Sequence, residues 1–184
     1  MRDMQAFLMD MMLNEELTHA ICERIAQIRV GQARQYALAG VDILRLGDDI
    51  VSQQGLMFSK ELYNTYFKPR IKRIVAAAKE VNPDIIIFMH SCGKIEGMID
   101  ELIDAGVEVL NPVQPECNDQ QAIKRTYGDR LSFWGGLGGQ SVLPHGTPDE
   151  VRAATRKTIA TLGPENGFLV APAHILDPAI PWEN

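Results

Sequence analysis

Ile85-Ile86-Ile87-Phe88-Met89-His90-Ser91-Cys92-Gly93 joins an unbroken apolar run to three polar residues and a glycine. A short run of β-branched and aromatic residues reads as a strand buried on both faces. Ile95 to Ile103 then continues at helical spacing, so the stretch is a strand, a tight loop and a helix. Residues two apart on a strand project to the same side, which aims the His90 imidazole and the Cys92 thiol together at a strand end. Zn²⁺ favours such N and S ligands but requires three or four of them. The pair alone also suits a packed thiol and a hydrogen-bonded histidine. Gly93 supplies the conformational freedom for the turn.

The same unit recurs along the chain. Apolar runs at 41–46, 107–110, 131–134 and 167–172 each meet a polar or glycine-rich loop. Helical patterns at 15–39, 59–78, 118–128 and 147–162 separate or precede them. Residues 3–13 form a further short amphipathic helix. Asn14, Ser59 and Asn118 are expected N-caps, and Thr147-Pro148-Asp149-Glu150 is a capping box with proline in the first turn. Pro69 is expected at the start of a separate helical segment, and Gly40 just past a helix end. Strict alternation of strands and helices predicts a parallel sheet with helical crossovers. The fold class is therefore α/β. Five such units fit an open doubly wound sheet or part of a (β/α)8 TIM-type barrel, whose full form takes about 250 residues. The 184 residues are expected to form one domain.

Composition narrows the function. A net charge of -6 and a pI near 5.2 argue against a binder of nucleic-acid backbones. No apolar run approaches the ~20 residues of a membrane span. Three cysteines, Cys22, Cys92 and Cys117, without a secretory leader fit reduced thiols and a cytoplasmic location. Methionines crowd the beginning (Met1, Met4, Met9, Met11, Met12) as packing or interface material.

The chemically informative residues all follow strands. Asp48 and Asp49 follow the first, His90 and Cys92 the second, Asn111, Gln114 and Cys117 the third. Gly135-Gly136-Leu137-Gly138-Gly139 follows the fourth, and His174 the fifth. In parallel α/β folds this rim carries the active site. Asp48, Asp49 and Gln114 are the candidate catalytic side chains, although loop aspartates also make local turns. Gly135, Gly136 and Gly138 read as a flexible loop admitting a bulky ligand close to the backbone, since they match no phosphate-loop spacing. Cys117 is a reserve ligand or a plain loop thiol, Cys22 a packed thiol, and His145 a solvated residue before a helix cap.

His90-Ser91-Cys92-Gly93, Asn111-Pro112-Val113-Gln114, Tyr127-Gly128-Asp129, Trp134-Gly135-Gly136 and Gly146-Thr147-Pro148-Asp149-Glu150-Val151 form an ordered series. The series resembles the uroporphyrinogen decarboxylase superfamily over nearly the whole chain. Its His-x-Cys-Gly element is similar to the zinc-dependent corrinoid methyltransferases, such as methylcobamide:coenzyme M methyltransferases. The resemblance implies an incomplete TIM-type barrel of about five βα units, the C-terminal portion of a longer protein. It implies zinc bound by a His-x-Cys pair and a distant cysteine. His90 and Cys92 match the pair. The distant position reads Pro172-Ala173-His174-Ile175, so the resemblance implies His174 either as the third metal ligand in place of that cysteine or as a residue that hydrogen-bonds substrate. Uroporphyrinogen decarboxylases carry histidine there but lack His-x-Cys-Gly. The implied activity is methyl transfer between a corrinoid, carried by a partner protein, and a thiol. The alternatives are a cofactor-free tetrapyrrole decarboxylase of porphyrin biosynthesis and an inactive partial barrel, whose open sheet edges invite pairing into a homo-oligomer.

Overall fold

The computed structural model describes residues 2–165 and 167–184. Met1, grouped above with the other early methionines, lies outside them. The sheet has five strands in the order β1 (Ile43–Gly47), β2 (Ile86–His90), β3 (Val109–Asn111), β4 (Ser132–Leu137) and β5 (Phe168–Pro172). Order in the sheet equals order in the sequence, and β2 through β5 pair parallel. This is the expected βα topology. No helix among the described residues is long and apolar enough to cross a membrane.

The chain divides into two compact units. The first holds residues 1–44, 58–87 and 100–106, and so the helices α1 (Met4–Leu13), α2 (Glu15–Leu38), α3 (Lys60–Tyr66) and α4 (Lys68–Lys79). Asn14 caps α2 by accepting from the Leu17 N–H, and Ser59 caps α3 through Leu62. Pro69 stands in the first turn of α4, where its missing N–H is harmless. Gly40 follows α2 with φ +78°. Met11, Cys22 and Tyr66 form a core with Phe7, Leu8, Phe58, Leu62 and Phe67 against it. The Tyr66 hydroxyl donates to the Met11 carbonyl at 3.1 Å. Cys22 is thus the packed thiol its helical setting suggests. Among the described early methionines, Met11 is buried and Met4, Met9 and Met12 are exposed.

Apart from Ile99, helix α5 (Ile99–Asp104) also belongs to the first unit. The second unit holds residues 45–57, 88–99 and 107–184, with helices α6 (Gln120–Tyr127), α7 (Val142–His145) and α8 (Pro148–Leu162). Thr147 and Glu150 close the capping box of α8 in both directions. Phe133, Leu110, Ile123, Met89, Ile95 and Met98 are almost fully buried.

Three expectations are corrected here, and one short helix is added. The helix expected from Ile95 is a 3₁₀ turn over Glu96–Met98 and only then α5. Its first backbone donor, Ile95 N–H, is spent on the Asn118 side chain at 3.0 Å. Asn118 is accordingly not the cap of α6; Asp119 caps it through the Ala122 N–H. Helix α7 went unforeseen, being only one turn long. Finally, Gly135 and Gly136 lie inside β4, not in a loop, opposite Val170 and Ala171 of β5. A Cβ at Gly136 would sit 2.8 Å from Thr158 Cγ2 and 3.0 Å from Leu162 Cδ1, so this glycine lets α8 seat directly on the strand. A Cβ at Gly135 would meet the Pro112 carbonyl oxygen at 2.7 Å. Gly138 follows the strand end, buried, with Ser141 and Glu116 side chains over it. A Cβ at any of these three glycines would meet protein atoms within 3 Å.

Gly136→Val should therefore destabilise the fold by ~1–3 kcal/mol through overpacking. Both the filled space and the positive φ of +82° act in that direction. The check is the denaturant midpoint of the variant against wild type.

Candidate metal centre

The pairing of β2 with β3 sets the site. His90 and Asn111 are register partners, so their side chains rise side by side from one face of adjacent strands. His90 Nδ1 lies 2.5 Å from Asn111 Oδ1. The Asn111 amide group donates to the Trp134 carbonyl on β4 at 2.7 Å. Two residues on from His90, Cys92 Sγ lies 3.5 Å from His90 Nε2, as the two-residue spacing anticipates. His174, just past β5, joins them: one donor atom each from His90, Cys92 and His174 lie within 4.8 Å of one another. The two imidazole rings are 6.2 Å apart between centroids.

These donors fit a tetrahedral Zn²⁺. With bonds of about 2.3 Å to sulfur and 2.05 Å to nitrogen, neighbouring ligand atoms stand about 3.6 Å apart. The His90–Cys92 pair already has that spacing, and His174 needs a shift of about an ångström. His90 and Cys92 are half-buried and His174 is exposed.

The loop carrying Cys92 is held at many points. Gly93 has φ +102°, and a Cβ there would lie 2.7 Å from the Ser52 carbonyl oxygen. The Gly93 N–H donates to Gln114 Oε1 at 2.9 Å. The Asn118 amide donates to the Gly93 and Gln114 carbonyls at 2.9 and 3.0 Å, and its oxygen accepts the Ile95 N–H. Buried Ser91 accepts the Ile50 N–H. Asp49 Oδ1 accepts the Cys92 N–H at 2.8 Å.

Of the candidate catalytic residues, Asp49 thus touches the loop backbone, and Gln114, buried, serves the loop through its amide oxygen. Asp48 stands exposed at the end of β1. Its carboxyl nevertheless sits above the ordinary range, first because surrounding protein displaces water and second because of the Asp49 charge. Burial likewise pushes the Cys92 thiol up, with smaller contributions from Asp49 and Cys117. Cys117 Sγ accepts from the Asn118 amide at 3.4 Å and is not in the three-donor cluster. His145 is exposed, as expected.

Sequence reasoning passed over Asn118 as a cap and gave Asn111 no task. The strand register that brings Asn111 beside His90 has no signature in either residue's local sequence. A cleft of about 530 Å³ opens over the cluster. Asp49, Ser52, Gln53, Cys92, Gln114 and His174 are among its walls. Its size is in the range of small-molecule sites.

A five-stranded parallel sheet with its polar groups at the C-terminal strand ends is the architecture of the barrel enzymes. The chain belongs to the uroporphyrinogen decarboxylase (URO-D) family, whose pattern it matches over residues 1–184. It is 24% identical over 156 residues to the methylcobamide:CoM methyltransferase MtaA of Methanosarcina barkeri, covering 84% of this chain and 42% of that protein. It is 26% identical over 147 residues to the methylcobamide:CoM methyltransferase MtbA of Methanosarcina mazei, covering 79% and 41%. A methylated-thiol–coenzyme M methyltransferase of the same organism is 27% identical over 146 residues, covering 78% and 36%. Among solved structures, a methyltransferase from Methanosarcina mazei superposes with a TM-score of 0.78 at 19% identity, covering 97% of this chain and 50% of that one. The chain thus spans less than half the length of these curated relatives. These relatives are named methyltransferases. The fold is that of the family's barrel.

The raised Asp48 carboxyl yields a prediction with a definite sign. A folded-state pKa above the unfolded value means that ionisation opposes folding. The penalty is fully present at pH 7 and disappears as pH falls through the carboxylate range. Asp48→Asn should therefore be more stable than wild type at neutral pH, with the advantage shrinking on acidification. Denaturant midpoints from pH 7 downward measure it.

Proposed function

We propose that the chain carries the metal centre of a zinc-dependent methyltransferase that moves a methyl group between a corrinoid and a thiol. The observation that supports this most directly is the His90–Cys92–His174 cluster, with one edge already at the spacing of a tetrahedral zinc site. The names of the relatives, which pair a methylcobamide with the thiol coenzyme M, support the reaction class. A corrinoid protein is then the partner.

His90, Cys92 and His174 would hold the ion, leaving its fourth position to the substrate, as catalytic zinc sites do. When bound, Zn²⁺ favours the thiolate form of a coordinating thiol, the nucleophile that methyl acceptance requires. The remaining residues of the site position these three. Asp49 and Gln114 fix the backbone on either side of Cys92. Asp48 and Asp49 are the acid–base candidates at the same strand end. The cleft accepts a small acceptor, with Ser52 and Gln53 offering polar contacts. A donor set of one thiolate and two imidazoles would leave more positive charge on the ion than a set with two thiolates, which would favour ionisation of a coordinating thiol and lower its nucleophilicity in return.

The second reading is a tetrapyrrole decarboxylase without a cofactor. The histidine at 174 supports it, because the resemblance places a histidine there in decarboxylases. That reading gives Cys92 no task.

Elemental analysis separates the two. The purified chain should carry one Zn²⁺. Cys92→Ala should abolish stoichiometric zinc, and His174→Ala should weaken binding. His174→Cys, which restores the ligand type of the methyltransferases, should retain it. A wild type without zinc, or a Cys92→Ala variant with unchanged zinc, overturns the methyltransferase reading.

A further inference from the structure

We propose that Asn111 is a positioning residue that fixes the tautomer of His90 and so determines which ring nitrogen faces the metal. The inference rests on the zinc reading above and adds to it how one ligand is oriented and how its basicity is set.

The argument is one of donors and acceptors. The Trp134 carbonyl can only accept, so the group facing it at 2.7 Å must be the NH₂ of Asn111. That orients the side-chain oxygen of Asn111 toward His90. An amide oxygen can only accept in turn, so His90 Nδ1, 2.5 Å away, must carry the proton. The lone pair of the singly protonated ring is then on Nε2, which faces Cys92 Sγ at 3.5 Å. A backbone carbonyl of β4 thus decides, through one amide, the protonation pattern of a histidine on β2. His90 and Asn111 are register partners, and residue 134 continues the same row, because Ser132 pairs with Val109. The relay is therefore a straight row across three strands and needs no rearrangement to work.

The identity of the residue also matters. A hydrogen-bond acceptor behind a ligating histidine holds the ring and raises its basicity, and a carboxylate does so more strongly. The neutral amide orients His90 without placing a negative charge behind it.

The experiment uses the whole chain, first free of metal and then titrated with Zn²⁺ alone. Long-range ¹H–¹⁵N spectra of the metal-free protein should show His90 protonated at Nδ1 and unprotonated at Nε2. Asn111→Ala should release that preference, giving a mixed tautomer, and should weaken Zn²⁺ binding about 10–100-fold. Asn111→Asp keeps an acceptor for the Nδ1–H but gives up the bond to the Trp134 carbonyl, which a carboxylate cannot donate to. It should preserve the Nδ1–H form, which separates the acceptor's role in setting the tautomer from simple packing. Far-UV circular dichroism of each variant tests that the fold is retained. A wild-type proton on Nε2, or unaltered Zn²⁺ affinity in a folded Asn111→Ala variant, overturns the role given to Asn111. A wild type that takes up no Zn²⁺ overturns the zinc reading and, with it, the ligand role. Zinc uptake with the wrong tautomer overturns only the assignment of Asn111.

Discussion

A side chain at position 93 would put its Cβ 2.7 Å from the Ser52 carbonyl oxygen and 2.8 Å from that of Val51. The bare backbone at Gly93 is the constraint on which the site depends. Because the chain passes so close beneath residues 51 and 52, it must turn at once after Cys92, at a positive φ that side chains avoid. The turn leaves polar backbone groups on both sides in a dry setting, where an unpaired donor or acceptor costs about 1–3 kcal/mol. Gln114 and Asn118, both buried, are there to satisfy them. Asp49 completes the set from the other side by taking the Cys92 N–H. The thiol is thereby placed by its backbone, and its side chain is left free for chemistry.

The same reasoning explains why so many polar residues near the cleft have structural tasks. A loop that bends sharply cannot complete its own hydrogen bonds, so neighbouring loops must supply the partners. Gln114 comes from the loop after β3, Asn118 from the approach to α6, and Ser91 supports Ile50 after β1. What looks like a rim of candidate catalytic groups is thus in good part scaffolding around three residues that can bind an ion.

The sequence made the topology and the His90–Cys92 pair legible, because both rest on local periodicity. Apolar runs alternating with helical patterns leave little choice but a parallel sheet, and a spacing of two fixes a shared strand face. His174 was legible by position, as a histidine just past an apolar strand. The rest depends on contacts between distant segments. Asn118 stands next to Asp119, both good helix caps, and only the fold shows that Asp119 takes the cap while Asn118 reaches back to Gly93. Gly135 and Gly136 were misread because glycine signals a loop and a close approach equally well. The deciding facts are that Thr158 and Leu162 of α8 press on Gly136 and that the Pro112 carbonyl oxygen lies against Gly135. Asn111 gained its role from strand register, which the local run of Val107 to Leu110 does not encode.

The three donor atoms are unequally tethered. His90 and Cys92 share one strand end, with the ring braced by Asn111 and the loop braced by its neighbours. His174 stands exposed beyond β5, where the nearest backbone tie is the Ala173 N–H to the Leu137 carbonyl at 2.8 Å. Were an ion held there, two of its ligands would share one braced strand end and the third would hang from a separate segment, so the strand end would set where the ion sits and the outlying imidazole how completely it is enclosed.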